Sequence, residues 1–254
     1  MKILTDTHIH SHFSPDSKAS VLDYCRAAIN KGFGRVCITD HVEFNPKDWG
    51  YGFYNPTGYF AEIEEARIAY GHQLEIISGC EIGGGPYNYP TEYEEYLAMP
   101  YDFILCSVHD WYDGLFASDM VKLDMPPEES FALYWDEVYK TVTYGGFDAL
   151  AHIDFPKRYY GSIIYDWGKL GQIFDVMINR EMALEVNTST VGSIGEPMPG
   201  RELLDFYKKC GGRYLTIGSD AHDVSNLGID FAVAEELAQG FEVVYYQNRK
   251  RYFA

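Results

Sequence analysis

Short apolar runs recur along the chain, each closed by a polar residue and separated from the next by a stretch of helical periodicity. Such runs read as buried strands, and the spacing between them reads as amphipathic helices. Ile3-Leu4-Thr5 comes first, ending at Asp6-Thr7-His8, and a helix from Ser20 to Lys31 follows, stopped by Gly32. The run from Arg35 to Thr39 ends at Asp40-His41. Residues 42–57, aromatic and containing Gly and Pro, read as a loop over a site. A helix over Gly58–Tyr70 leads to Glu75–Cys80, which ends at Glu81, and a short acidic helix is predicted over Glu92–Leu97. The run Asp102–Val108 ends at His109. The helix Pro126–Tyr144 has proline at its start and Gly145-Gly146 beyond its end, the usual start and stop signals. Phe147–Ala151 leads to His152, Ala183–Val186 ends at Asn187, and Arg213–Ile217 ends at Ser219-Asp220-Ala221-His222, with helices predicted over Tyr165–Asn179 and Arg201–Lys209 between them.

Seven β-runs alternating with helices predict the α/β class and a parallel sheet. In such folds the carboxyl ends of the strands converge on one rim, where active sites form. Six of the eight histidines (His8, His10, His41, His109, His152 and His222) stand at strand ends, so the pattern brings them together. No repeat, low-complexity tract or linker interrupts it, and residues 1–254 read as a single domain.

In an extended backbone alternate side chains share a face, so His8 and His10 point the same way, with Asp6 one step earlier. His-x-His alone arises as readily by chance. The whole set of strand ends is what points to a metal cage. Imidazole and carboxylate without thiolate suit zinc, manganese or iron and do not choose among them. The five cysteines form an odd set with no Cys-x-x-Cys pair and read as small buried hydrophobes.

A net charge of −18, from 38 acidic and 20 basic residues, repels long nucleic acids. A small anionic substrate then needs a locally positive site, which divalent cations would provide. No segment approaches the ~20 apolar residues of a membrane helix, and Met1-Lys2-Ile3-Leu4 enters a strand without a leader, so a cytoplasmic protein is expected. Arg249-Lys250-Arg251 reads as a surface tail.

The motifs His8-Ile9-His10, Thr39-Asp40-His41, Glu81, His109, Ala151-His152-Ile153-Asp154 and Ser219-Asp220-Ala221-His222 resemble those of the polymerase and histidinol phosphatase (PHP) superfamily. Glu185-Val186-Asn187-Thr188-Ser189 and Thr216-Ile217-Gly218-Ser219-Asp220-Ala221-His222 look most like the stand-alone L-histidinol-phosphate phosphatases of histidine biosynthesis. The resemblance implies a distorted (β/α)7 barrel, similar to a TIM barrel, with three divalent metal ions. It gives the first ion His8, His10, Glu81 and Asp220, and the second His109 and His152 with Glu81 as the bridge. The third takes Asp16, His41 and His222. Asp16, in a Ser-Pro-Asp-Ser turn, is also compatible with an ordinary turn residue. Glu81, Asp220 and His222 are implied in catalytic roles. The implied activity is hydrolysis of a phosphomonoester by a metal-bridging hydroxide, with L-histidinol phosphate as the substrate that fits the subfamily. A nucleotide or phosphotyrosyl substrate is the alternative within the fold. An amidohydrolase-type barrel and a non-catalytic metal-binding domain are the readings outside it. The sequence carries no signal of oligomeric state.

A phosphate monoester also needs donors for its remaining oxygens. Arg158, after the His152 strand end, and Arg201, opening a helix, are candidates for bidentate phosphate binding, although each also fits a solvated surface arginine. Asn187 either contacts substrate or satisfies backbone groups at its strand end. Glu43, Asp110 and Asp113 are available to accept an ammonium. Asp6 and Asp40 are expected behind the ligands, orienting imidazoles, although Asp40 fits a helix-capping role equally well. His12 and His72 read as bystanders.

Overall fold

The computed structural model describes residues 2–254. Seven parallel strands, β1 (Thr5–Ile9), β2 (Arg35–Glu43), β3 (Glu75–Gly83), β4 (Phe103–Cys106), β5 (Ala149–Leu150), β6 (Ala183–Asn187) and β7 (Tyr214–Gly218), lie in chain order. The helices are α1 (Val21–Lys31), α2 (Pro56–Tyr70), α3 (Pro90–Leu97), α4 (Ala117–Lys122), α5 (Pro127–Tyr144), α6 (Lys157–Tyr160), α7 (Trp167–Asn179), α8 (Val191–Ile194), α9 (Arg201–Lys209) and α10 (Phe231–Leu237). Among the described residues no helix is long and apolar enough to cross a membrane.

The strands curl so that β1 returns to β7. His10 N–H donates to Ala221 O at 2.9 Å and Asp220 N–H donates to His8 O at 2.9 Å, which joins the two at the carboxyl end. At the amino end β7 instead pairs with β8 (Glu242–Gln247), through Tyr214 to Glu242 and Leu215 to Val243. The result is the expected distorted (β/α)7 barrel, closed at its rim and opened at its floor by an added strand.

Side-chain alternation divides the core. On β2, Val36 and Ile38 join the large cluster beneath the helices, whereas Cys37 joins a smaller one with Ile77, Phe103, Leu105, Ala149, Ala151, Ala183, Val244 and Tyr246. Those positions are the inward column of each strand, and the column continues upward to His41 on β2 and Glu81 on β3. The interior is narrow. A Cβ on Gly79 would lie 2.8 Å from both Cys37 Sγ and Thr39 Cγ2, so glycine is required there for the barrel to close around its contents.

Helix boundaries follow local chemistry. Ser20 and Asp23 form a reciprocal capping box at α1, and Gly32 ends that helix in the left-handed region at φ 79°. The acidic helix begins at Pro90, two residues before the predicted start, because proline is accepted in the first turn.

Arg249-Lys250-Arg251 is not a surface tail. These residues lie at and just before the start of β9 (Lys250–Phe253), which pairs antiparallel with β8 and folds the terminus beneath the barrel. Arg249 Nε donates to Asp148 Oδ2 at 2.6 Å, Arg249 N–H donates to Asp102 O, and Tyr246 stacks on Phe103 at 5.4 Å. Basic composition suggested solvation, but buried acceptors on the floor claim the charge. Tyr246→Ala, which empties a buried site in the floor, is expected to lower unfolding free energy by about 3 kcal/mol in urea denaturation. Phe253→Ala, at an exposed position, is expected to stay within about 0.5 kcal/mol.

Candidate metal centre and active site

The rim gathers the histidines through register. His41 on β2 pairs with Glu81 on β3, and His8 and His10 at the end of β1 meet the 220–222 segment through the bonds already described. Asp220 holds a left-handed backbone, φ 55°, where the chain turns sharply after β7. His109 and His152 follow β4 and β5 after those strands have left the ladder.

Glu81 is the centre, fully buried with one oxygen toward each side. Its Oε1 lies 3.0 Å from His152 Nε2 and 3.5 Å from His109 Nε2. Its Oε2 lies 2.9 Å from His41 Nδ1, 3.4 Å from His8 Nε2 and 3.6 Å from His10 Nε2. Asp220 Oδ1 approaches His10 Nε2 at 3.2 Å and His8 Nε2 at 3.6 Å. Asp16 Oδ2 lies 2.9 Å from His222 Nε2 and 3.7 Å from His41 Nε2. Donor atoms of His8, His10 and Asp220 fall within 4.8 Å of one another, as do those of Glu81, His109 and His152, of His10, His41 and His222, and of His41, Glu43 and His109.

Proton bookkeeping decides what this arrangement can hold. His8 Nδ1 meets Glu185 Oε1 at 2.6 Å, and His109 Nδ1 meets Glu43 Oε1 at 3.1 Å. His222 Nδ1 donates to Asp220 O at 2.9 Å. Ser14 Oγ donates to Asp40 Oδ1, so it accepts from His10 Nδ1 at 3.1 Å. Each of these rings thus spends its Nδ1–H outward and turns Nε2 inward, where a neutral imidazole presents a lone pair. The His8 and His10 Nε2 atoms then face each other at 2.9 Å beside two carboxylates, and Glu81 Oε2 is buried without a hydrogen-bond partner. Converging lone pairs repel unless a cation lies among them. The residues fit divalent metal ions.

Without cations among them, the carboxylates charge several of these rings instead. Burial pushes the His8 imidazole down, but Glu185, Glu81 and Asp220 outweigh it and hold its pKa well above the ordinary range. His10 goes the other way, driven well down by burial and by His222 and His41. Burial would raise Glu81 and Asp220, yet the surrounding imidazoles, with Arg158 beside Asp220, keep both well below the usual carboxylate range. Burial pushes Glu43 up to about 7 against its bond from His109. Bound cations would serve the same anionic set.

The centre opens into a cavity of about 220 Å³, whose walls include Glu43, Asp48, Trp49, Phe116, Phe155, Arg158 and Tyr159. Residues 6–189 match the PHP domain family, well over half of the chain. The chain belongs to the PHP family. It is 28% identical to the probable histidinol-phosphatase of Thermotoga maritima over 97% of both proteins. It is 29% identical to the histidinol-phosphatase of Lactococcus lactis, over 85% of this chain and 83% of that one. A crystal structure of the Lactococcus lactis histidinol phosphate phosphatase, complexed with zinc, L-histidinol and phosphate, has the same fold, with a TM-score of 0.86 at 24% identity over 98% of each chain.

In this PHP chain all nine expected ligands, His8, His10, Asp16, His41, Glu81, His109, His152, Asp220 and His222, stand in or beside the one cluster. Arg158 also reaches it, with Nη2 donating to Asp220 Oδ2 at 2.9 Å and Ser189 Oγ at 2.8 Å. Arg201 does not. It is exposed at the start of α9, where Nη2 pairs with Glu236 at 2.9 Å, because the first turn of that helix faces α10 rather than the rim. Asn187 is buried in the strand-end network, accepting from Ser189 N–H at 3.1 Å and Ser189 Oγ at 2.5 Å, and it does not line the cavity. Asp110 is occupied by Asn45 and Asp113 by Lys47 on the surface, which leaves Glu43 of the three expected acids on the cavity wall. His12 pairs with Glu62 and His72 lies beside Gln73, both away from the centre.

Asp6 and Asp40 do not touch ligand imidazoles. Asp6 accepts from the N–H groups of His8, Ser219 and Gly228, holding backbone, and Asp40 reaches His10 through Ser14. The carboxylates that bond ligand rings are Glu43, at His109, and Glu185, a member of the Glu185–Ser189 motif to which no role attaches from sequence. Glu185 bonds His8 with one oxygen and His152 N–H with the other, at 2.9 Å. A charged residue inside the apolar run Ala183–Val186, two positions before Asn187, was the available signal. Gly218 makes the contact possible, since a Cβ there would lie 2.4 Å from both Glu185 Oε1 and His8 Cβ. Glu185→Gln is expected to weaken metal binding by about 10- to 100-fold in metal titrations, with circular dichroism unchanged. Wild-type affinity in that variant would contradict the assignment.

Proposed function

We propose that the chain is a metal-dependent phosphomonoesterase that hydrolyses L-histidinol phosphate to L-histidinol and phosphate. Three divalent ions, zinc, manganese or iron, would be held by His8, His10, Glu81 and Asp220, by Glu81, His109 and His152, and by Asp16, His41 and His222. The observation that carries the reading is the ring of inward lone pairs around buried Glu81, opening into a cavity that Arg158 also lines. When bound, the ions supply Lewis acidity that activates water and neutralises phosphoryl oxygens. The chain's own residues do the rest. Glu185, Ser14 and Glu43 hold the imidazole Nδ1–H groups outward, so Nε2 is the nitrogen turned toward the ions. Arg158 is fixed by Asp220 and Ser189, and a guanidinium has five donors, so capacity remains for a phosphoryl oxygen. Phe116 and Phe155 form apolar wall around the reacting ester. Support for L-histidinol phosphate among phosphomonoesters comes from the likeness, over most of their length, to proteins named for that activity.

The test is phosphate release by protein loaded with manganese, zinc or iron, with L-histidinol phosphate beside AMP and phosphotyrosine. Selective turnover of L-histidinol phosphate is expected, and preference for the nucleotide would overturn the substrate. Glu81→Ala is expected to lose bound metal and activity together. Arg158→Lys, which removes the fork but keeps the charge, is expected to raise KM about tenfold, whereas Arg201→Ala leaves it unchanged.

A further inference from the structure

The cavity draws on loops from two sides of the barrel. Arg158 follows β5, while Asp48 and Trp49 come from the loop between β2 and α2, three strands away in a ring of seven. That loop is tied down at its base: Asn45 Nδ2 donates to Asp110 Oδ2 at 2.5 Å and Gly114 O at 2.8 Å, and Lys47 Nζ donates to Asp113 O at 2.6 Å. At its tip, Asp48 Oδ1 accepts from Gly50 N–H at 2.6 Å. Gly50 sits between two acids, for a Cβ there would lie 3.1 Å from Asp48 Oδ1 and 3.2 Å from Glu43 Cγ.

The acids of the wall are not equivalent. Glu43 accepts from His109, and Asp16 and Asp220 face the inward imidazoles. Asp48 also lines the cavity, and among the described residues no Lys, Arg or His pairs with it. Trp49, beside it, is 60% exposed although it lines the same cavity. An indole in that position contributes little to the core, and it offers a flat face at the mouth.

Resting on the phosphatase reading, we infer that Asp48 and Trp49 form the specificity subsite for the leaving group, selecting phosphomonoesters whose alcohol carries an ammonium and a flat ring. The carboxylate accepts a charge-assisted hydrogen bond from the ammonium, and the indole covers the ring or the cation. A site built around a polar contact rejects analogues that lack the matching group, so the loop separates selection from the chemistry at the strand ends.

Asp48→Asn tests this without disturbing the loop, because the amide oxygen can still accept from Gly50 N–H. Two measurements on metal-loaded protein decide it: calorimetric binding of L-histidinol and of its analogue without the amino group, and kcat and KM for the phosphate esters of both and for propyl phosphate. Asp48→Asn is expected to weaken L-histidinol binding and raise KM for its phosphate about tenfold, with less than threefold change for the deamino pair. Trp49→Ala is expected to lower kcat/KM for both ring-bearing esters about tenfold and for propyl phosphate less than threefold. Equal losses on all substrates, or no loss on any, with wild-type protein still selective for L-histidinol phosphate, would overturn the subsite alone. Wild-type protein that hydrolyses propyl phosphate as efficiently as L-histidinol phosphate would overturn the substrate reading, and the subsite with it.

Discussion

A fully buried carboxylate, Glu81, faces five imidazoles at the mouth of the barrel, and the rest of the structure is arranged around that concentration of charge. Taking such groups out of water costs several kcal/mol each unless partners compensate. Compensation comes from a surrounding layer: Glu185 behind His8 and His152, Ser14 and Asp40 behind His10, Glu43 behind His109. The two glutamates reach their targets because a neighbouring position is small. Gly218 admits Glu185, and Gly83 admits Glu43, whose oxygens would lie 2.2 Å from a Cβ there. The glycines of the rim are therefore part of the electrostatic design.

The opposite end of the barrel has the complementary task. The seven strands close only at the rim, so the floor needs filling, and the β8–β9 hairpin supplies Val244 and Tyr246 to the inner cluster. Arg249 then meets Asp148, whose carboxylate also accepts from Ile104 N–H on β4. A terminus that resembles a basic tail is thus a plug. Above this plug the inward columns of side chains lead to the rim, where the polar groups at their tops border the cavity.

How much of this could be read from sequence depended on the range of the interaction. His8, His10, His41, Glu81 and Asp220 announce themselves because strand periodicity places them and parallel topology gathers strand ends. Arg158 followed from proximity to His152. Arg201 had both of its readings open, since a helix start near a strand end gives no azimuth, and rotation toward α10 put its charge on Glu236. Asn187 had both of its readings open, and its contacts with Ser189 fall on the strand-end side. The imidazole that Glu185 holds is 177 residues away, at His8, so its role emerges only when β1 and β6 are brought together. Asp48 and Trp49 sit in a loop with no periodicity to orient them.

The position of Arg201 has a consequence for how a phosphate dianion would be held on the proposed reading. One guanidinium, Arg158, lines the cavity, and part of its charge is already engaged by Asp220. The chain carries a net charge of −18, so its general field opposes an anion rather than attracting it. Acids also stand on the cavity wall, at Asp16, Glu43, Asp48 and Asp220. Side chains alone therefore leave a phosphate poorly neutralised, and the balance falls to cations held around Glu81. Substrate affinity and metal occupancy become one linked property: ions bound by the imidazoles convert a repulsive pocket into an attractive one, and a phosphate that gains those contacts stabilises the bound ions in return.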